Sequence, residues 1–127
     1  MILLDTNALL WALGDPDRLG PNTRSTLTGS SEVYYSSISI TELRIKQMLG
    51  RLTLPEAVVE SIEDAGFLAL PYSPDDADAL ALFPQLVRHD PFDRMLLAQA
   101  TVRGCRLYTS DATLLGLALP HVYHCRR

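Results

Sequence analysis

A chain of 127 residues with 47% hydrophobic and 20% charged residues has the length of one domain and the composition of a protein that buries a core. No apolar run reaches the ~20 residues of a membrane helix, the chain opens on an apolar strand-like run instead of a basic leader, and two cysteines are too few for a disulfide scaffold. A single soluble, cytoplasmic domain over residues 1–127 is expected, and a net charge of -4 argues against a broad basic nucleic-acid surface without excluding a nuclease whose acidic site holds cations.

In chain order, residues 1–4 are continuously apolar and read as a central strand covered on both faces. A helix over about 6–13 follows; Pro16, Gly20 and Pro21 interrupt the pattern; a helix over about 22–28 then leads to a second strand over 33–37. Ser39 is predicted to open the next helix and Gly50 to close it, and Pro55 to start another that runs to Ala65 before a third strand at 67–70. Residues 74–82 and 91–103 give two more helices, the second stopped by Gly104. A strand at 105–108, a helical turn at 112–115 and a short edge strand at 121–124 complete the chain. The alternation predicts an α/β fold with a central, mainly parallel sheet of four to five strands flanked by helices.

Four acids fall near strand-to-helix junctions: Asp5, Glu42, Asp93 and Asp111. The carboxyl ends of parallel strands share one edge of a sheet, so these residues can meet although they are distant in sequence. Converged carboxylates repel unless a cation holds them, typically Mg²⁺ or Mn²⁺, and such sites commonly act on phosphate esters. Helix capping offers a competing explanation. Ser39-Ile40-Thr41-Glu42 has the form of a capping box, and Asp90-Pro91-Phe92-Asp93 that of a helix start with Asp90 as N-cap. Ser73-Pro74-Asp75-Asp76 shows the same grammar, and Asp75 and Asp76 are read as structural. Asp5 fits capping less well, because it ends a strand expected to be buried and a carboxylate there needs partners. Asp111 resists capping too, although it could cap the short helix that follows. Spacing leaves both explanations open.

The other constellations are weaker. Ten of the eleven basic residues are arginine, with Lys46 the one lysine, a bias that codon usage explains as readily as phosphate binding. His121, His124 and Cys125 lack a further soft-metal ligand apart from His89 and read as residues of a strand edge. Glycine-rich phosphate loops and Ser-His-Asp or Cys-His nucleophile patterns do not occur.

Four segments in order, Leu4-Asp5-Thr6-Asn7, residues 38–43 with their S-x-x-E pattern, residues 93–100, and Thr109-Ser110-Asp111, resemble the motifs of the PIN-domain ribonucleases, and among them the VapC-type toxins of toxin–antitoxin pairs. The resemblance implies a Rossmann-like fold and hydrolysis of RNA phosphodiester bonds with Mg²⁺, for which Mn²⁺ substitutes. It implies an acidic tetrad of Asp5, Glu42, Asp93 and Asp111, with Asp5 and Asp93 as chief metal ligands and the other two acting directly, through waters, or on a second ion. Asn7 and Thr109 match positions that orient carboxylates; Asp90 would be a fifth acid, and Arg94 a phosphate contact or an ion-pair partner. A cognate antitoxin that blocks the site, and a homodimer, also follow from the resemblance. The apolar helix pair between Ser39 and Ala65 is either the surface for such a partner or ordinary core. Two alternatives are a receiver-like Mg²⁺-binding phosphoacceptor domain, which calls for a lysine on a late strand, and a catalytically silent PIN-like binding module, which would lack a tetrad acid.

Overall fold

A computed structural model describes residues 1–127 as one five-stranded sheet with helices on both faces. The strands are β1 (Ile2–Leu4), β2 (Val33–Ser36), β3 (Leu68–Leu70), β4 (Arg106–Thr109) and β5 (Val122–His124), all parallel, in the order β3-β2-β1-β4-β5. β1 lies at the centre with all three residues fully buried, which explains its continuous apolar run. Side chains alternate across the sheet. Ile2 and Leu4 face a core shared with Leu9 of α1 (Thr6–Gly14) and Ile62 of α4 (Val58–Asp64). Leu3 faces the other, with Leu96 and Leu97 of α6 (Pro91–Arg103) and Leu114 of α7 (Ala112–Gly116). The remaining helices are α2 (Pro21–Thr28), α3 (Ser37–Met48) and α5 (Pro74–Asp78). No helix is long and apolar enough to cross a membrane.

The chain runs outward from β1 to β2 and β3, then returns to the other side for β4 and β5. The order therefore reverses between β1 and β4, and the crevice beyond the carboxyl ends of those two strands is where open parallel sheets bind ligands. Asp5 follows β1 and Asp111 follows β4 by two residues, so both acids flank the reversal.

Several boundaries differ from expectation for identifiable reasons. Helix α3 starts at Ser37, because Ser36 at the end of β2 turns its hydroxyl onto the Ile38 N–H and caps it. Ser39 and Glu42 are thus interior helical residues, and the capping-box reading of that segment is overturned. Helix α4 begins at Val58, not Pro55; the preceding loop is tied to α3 by Arg44, which donates to the Glu56 carbonyl at 3.2 Å. The helix expected over 74–82 is a short α5 followed by a 3₁₀ turn, Ala79–Leu82, with another 3₁₀ turn at Pro84–Leu86. The box of Ser73 and Asp76 does form, and Asp76, fully buried, also pairs with Arg103 at 3.1 Å. Burial alone would raise its pKa, but Arg103 and the Ser73 bonds hold it below the usual carboxylate range. Gly104 terminates α6 in the left-handed region at φ 67°, as expected from its position.

Gly20 has a different reason to be glycine. Its backbone is ordinary extended chain, but a Cβ there would collide with the backbone of Arg127. The terminal segment is pinned there: Gly20 N–H donates to Cys125 O, while the Thr23 N–H and hydroxyl both donate to Arg127 O. Gly20→Ala should therefore displace this segment and lower stability by about 1–3 kcal/mol in urea unfolding. Unchanged stability would show that the close approach is not maintained in solution.

Candidate active site

Of the four junction acids Asp5 is the most enclosed, 3% exposed. It caps α1, its Oδ1 accepting the Ala8 N–H at 2.7 Å, and it accepts a second hydrogen bond from Thr109. Burial nevertheless pushes its carboxyl up to about 6, against the lowering effect of those bonds, with the charges of Glu42 and Asp111 adding to the rise. Across β4, Asp111 caps α7 by accepting the Leu114 N–H at 2.8 Å, while its own N–H donates to Thr109 Oγ1 at 3.0 Å. Thr109 thereby ties the two acids together through one hydroxyl. Asp5 and Asp111 are both helix caps, against the expectation that they resist that role; in Asp111 the capping oxygen, Oδ2, is also the one that faces His89, since a carboxylate oxygen has two lone pairs.

Asp93 stands in the first turn of α6, where Asp90 is the cap and accepts the Asp93 N–H at 3.1 Å. Its carboxyl is pushed up to about 7, by burial first and then by the negative charges of Asp111, Asp90, Asp5 and Glu42. Asp93 thus senses every other acid of the group. Glu42 is held from both sides: Oε1 accepts the Thr6 hydroxyl at 2.6 Å, and Oε2 lies 2.9 Å from Lys46 Nζ. The Ser39 hydroxyl joins Thr6 at 3.0 Å. The supposed capping residues of α3 instead bond across to α1.

The four acids share one edge, but they do not make one tight set of donors. The close group is His89, Asp93 and Asp111, whose donor atoms all lie within 4.8 Å of one another. His89 Nε2 is 3.1 Å from Asp111 Oδ2 and 3.5 Å from Asp93 Oδ2, yet it is aligned for a hydrogen bond with neither. Among the supporting residues, Thr109 has the bonds just described, whereas Asn7 is exposed and makes no side-chain hydrogen bond to a carboxylate. Asp90 is exposed beside Asp93. Arg94 pairs with no acid, and its Nε is buried without a partner. The four acids line none of the five cavities of the molecule.

Sequence reasoning missed Thr6, Lys46 and His89 as members of this neighbourhood. Lys46 was readable as the i+4 partner of Glu42 on one helix face. His89 precedes α6 on a turn, so no helical periodicity marks it. His121, His124 and Cys125 are engaged separately: His121 Nε2 lies 2.9 Å from Thr101 Oγ1, His124 Nδ1 accepts the Arg126 N–H, and Cys125 is buried.

The PIN domain profile matches residues 2–118 of the chain. Ribonuclease VapC22 of Mycobacterium tuberculosis (strain ATCC 25618 / H37Rv) is 27% identical over 120 residues, covering 89% of this chain and 88% of that protein. A toxin–antitoxin complex from Klebsiella pneumoniae contains a chain of the same fold, with TM-score 0.68, 18% identity and coverage of 98% and 97% of the two chains. VapBC2 from Rickettsia felis, bound to a DNA fragment from its promoter, aligns with TM-score 0.68 at 14% identity over 97% of this chain and 96% of that one.

The burial of these acids, and their crowding, have a measurable consequence in metal-free protein. Asp5 and Asp93 titrate at about 6 and about 7 in the folded chain against an ordinary 3.8. Between ~4 and ~7 the folded state therefore binds more protons than the unfolded state, and stability falls as pH rises through that window. With a chelator present, the melting temperature should be lower at about pH 8 than at about pH 5. Asp93→Asn should raise the value at about pH 8 by ~3 °C or more. A melting temperature that climbs with pH, or an Asn variant that melts earlier, would contradict the repulsion.

Proposed function

The chain belongs to the PIN domain family, and on that premise we propose that it is a single PIN domain over residues 1–127 acting as a metal-dependent endoribonuclease, the toxin of a toxin–antitoxin pair. The reading rests above all on the mutual crowding of Asp5, Glu42, Asp93 and Asp111 at the carboxyl edge of the sheet, beside the strand-order reversal. Such an arrangement is costly unless a cation offsets it, and its oxygen-rich donor set suits Mg²⁺, with Mn²⁺ able to substitute. When bound, the cation lowers the pKa of a coordinated water and stabilises charge developing on the phosphoryl group.

Asp5 and Asp93 are the proposed chief ligands, and Asp111 the third carboxylate facing the same edge. Glu42 contributes negative charge and position more than free oxygens, because Thr6 and Lys46 already occupy one oxygen each. Thr109, at the end of β4, stands beside both Asp5 and Asp111 and holds them in register. Asn7, Asp90 and Arg94 border the site, with Arg94 the basic group available to a phosphate. RNA is the proposed substrate because VapC22 is named a ribonuclease. The receiver alternative is not favoured, since the one lysine sits on α3 paired to Glu42.

The helix pair after β2 divides into core and surface. Leu43, Val58 and Ile62 are buried, whereas Ile45, Met48, Leu49 and Val59 are exposed. A neighbouring cavity of about 400 Å³ is lined by Leu10, Leu13, Leu54 and Val58 among others. An apolar face of this kind is the proposed seat of a cognate antitoxin, by analogy with the toxin–antitoxin complexes of the same fold. A cytoplasmic homodimer completes the reading.

The deciding assay is cleavage of a total-RNA pool with mapping of the cut ends. EDTA should abolish cleavage, and Asp93→Asn should reduce it ~100-fold or more while the protein remains folded. Equal cleavage by wild type and Asp93→Asn would sink the reading. Added Mg²⁺ or Mn²⁺ should also raise the melting temperature, since a ligand selective for the folded state stabilises it by mass action.

A further inference from the structure

We propose that His89 is a nitrogen ligand of the cation site and tilts its selectivity towards first-row transition cations such as Mn²⁺ over Mg²⁺. The inference rests on the metal-site reading above and adds a donor that the four acids do not include.

Spacing is the first support. Around an octahedral ion with bonds of ~2.1 Å, adjacent donors lie ~3 Å apart and opposite donors ~4 Å apart. His89 Nε2 stands 3.1 Å from Asp111 Oδ2 and 3.5 Å from Asp93 Oδ2, with all three donor atoms within 4.8 Å. The two distances from the imidazole are those of adjacent donors, and the two carboxylate oxygens lie close enough to draw together around an ion.

The state of Nε2 is the second support. The atom is shielded from solvent and has no hydrogen-bond partner, although two carboxylate oxygens stand close by. A buried ring nitrogen without a partner is unusual, and the acids beside it are placed but misaligned to satisfy it. A cation held here would take the ring lone pair together with Asp93 Oδ2 and Asp111 Oδ2, the latter shared with the Leu114 N–H. Arg94 Nε and Gln99 Oε1 are also unpartnered, but neither sits between two carboxylates.

The backbone fixes the ring in place. His89 N–H donates to the carbonyl of Leu86 at 2.9 Å, and Leu86 is 2% exposed in the core beneath α6. The next residue, Asp90, caps α6 and so fixes the main chain of His89 relative to Asp93. Among the deeper acids Glu42 has one oxygen on Thr6 and the other on Lys46, and Asp5 has one oxygen on the Ala8 N–H. The outer half of the acidic group therefore needs a third donor, and His89 is the one within reach. An imidazole suits the later first-row ions best, and Mn²⁺, the weakest binder of that series, still accepts nitrogen more readily than Mg²⁺, which holds to oxygen.

Pulsed electron paramagnetic resonance on the full chain loaded with Mn²⁺ tests this without reference to activity. The wild type should show coupling to a directly bound nitrogen, and His89→Gln should lose it. In titrations, His89→Gln should weaken Mn²⁺ binding ~10-fold or more while changing Mg²⁺ binding less than ~3-fold. Wild-type Mn²⁺ held by oxygen alone, or a Mn²⁺/Mg²⁺ ratio that His89→Gln leaves unchanged, would overturn the assignment of His89 and leave the carboxylate site standing. Mn²⁺ that fails to bind the wild type, or binds Asp93→Asn equally well, would overturn the metal site itself and the ligand with it.

Discussion

The molecule is organised around electrostatic repulsion that the fold concentrates at one edge. A parallel sheet must bury its central strand, and burying β1 carries Asp5 inward with it to 3% exposure. The reversal of strand order then brings β4 alongside, and Asp111 arrives two residues past its end. Helix α6 delivers Asp93 from a third direction, to a place where it senses the charges of all the others. Charge gathered in this way is unfavourable in an empty site and favourable around a cation, so stability is exchanged for readiness to bind.

Local hydrogen bonding is what lets a fold of 127 residues tolerate that arrangement. Two of the acids double as helix caps, so the N–H groups at the starts of α1 and α7 offset part of their charge. Thr109 bonds to both of them, and Thr6 and Lys46 hold Glu42. Capping and site formation are therefore not rival explanations of these residues. Both use the same property of a helix start, an array of donors aimed at a carboxylate, and a carboxylate has oxygens enough for both.

The apolar surface follows a similar division of labour. Helices α3 and α4 bury Leu43, Val58 and Ile62 to close one side of the sheet while leaving Ile45, Met48, Leu49 and Val59 outside. Ile45, Met48 and Leu49 lie on or just past the helix that also carries Glu42 and Lys46. A partner covering that apolar set would lie against the helix that also carries Glu42.

Much of this was legible in the chain. Continuous apolar runs marked the strands, Gly104 marked the end of α6, and Asp90-Pro91 marked its start, because these signals arise within a few residues of the backbone they control. The acids at the junctions, and the family they point to, were readable for the same local reason. The start of α3 was misjudged because Ser36 and Ser39 have the same capping chemistry; which one acts depends on where β2 stops pairing with β3. His89 remained hidden because its only distinction is its distance from Asp93 and Asp111, and Asp111 lies on another element after a different strand. Residue type and short spacing determined the elements and the supply of carboxylates. Only tertiary structure decided which of them meet, because contacts across the sheet depend on strand order, and strand order is settled by burial of the whole core.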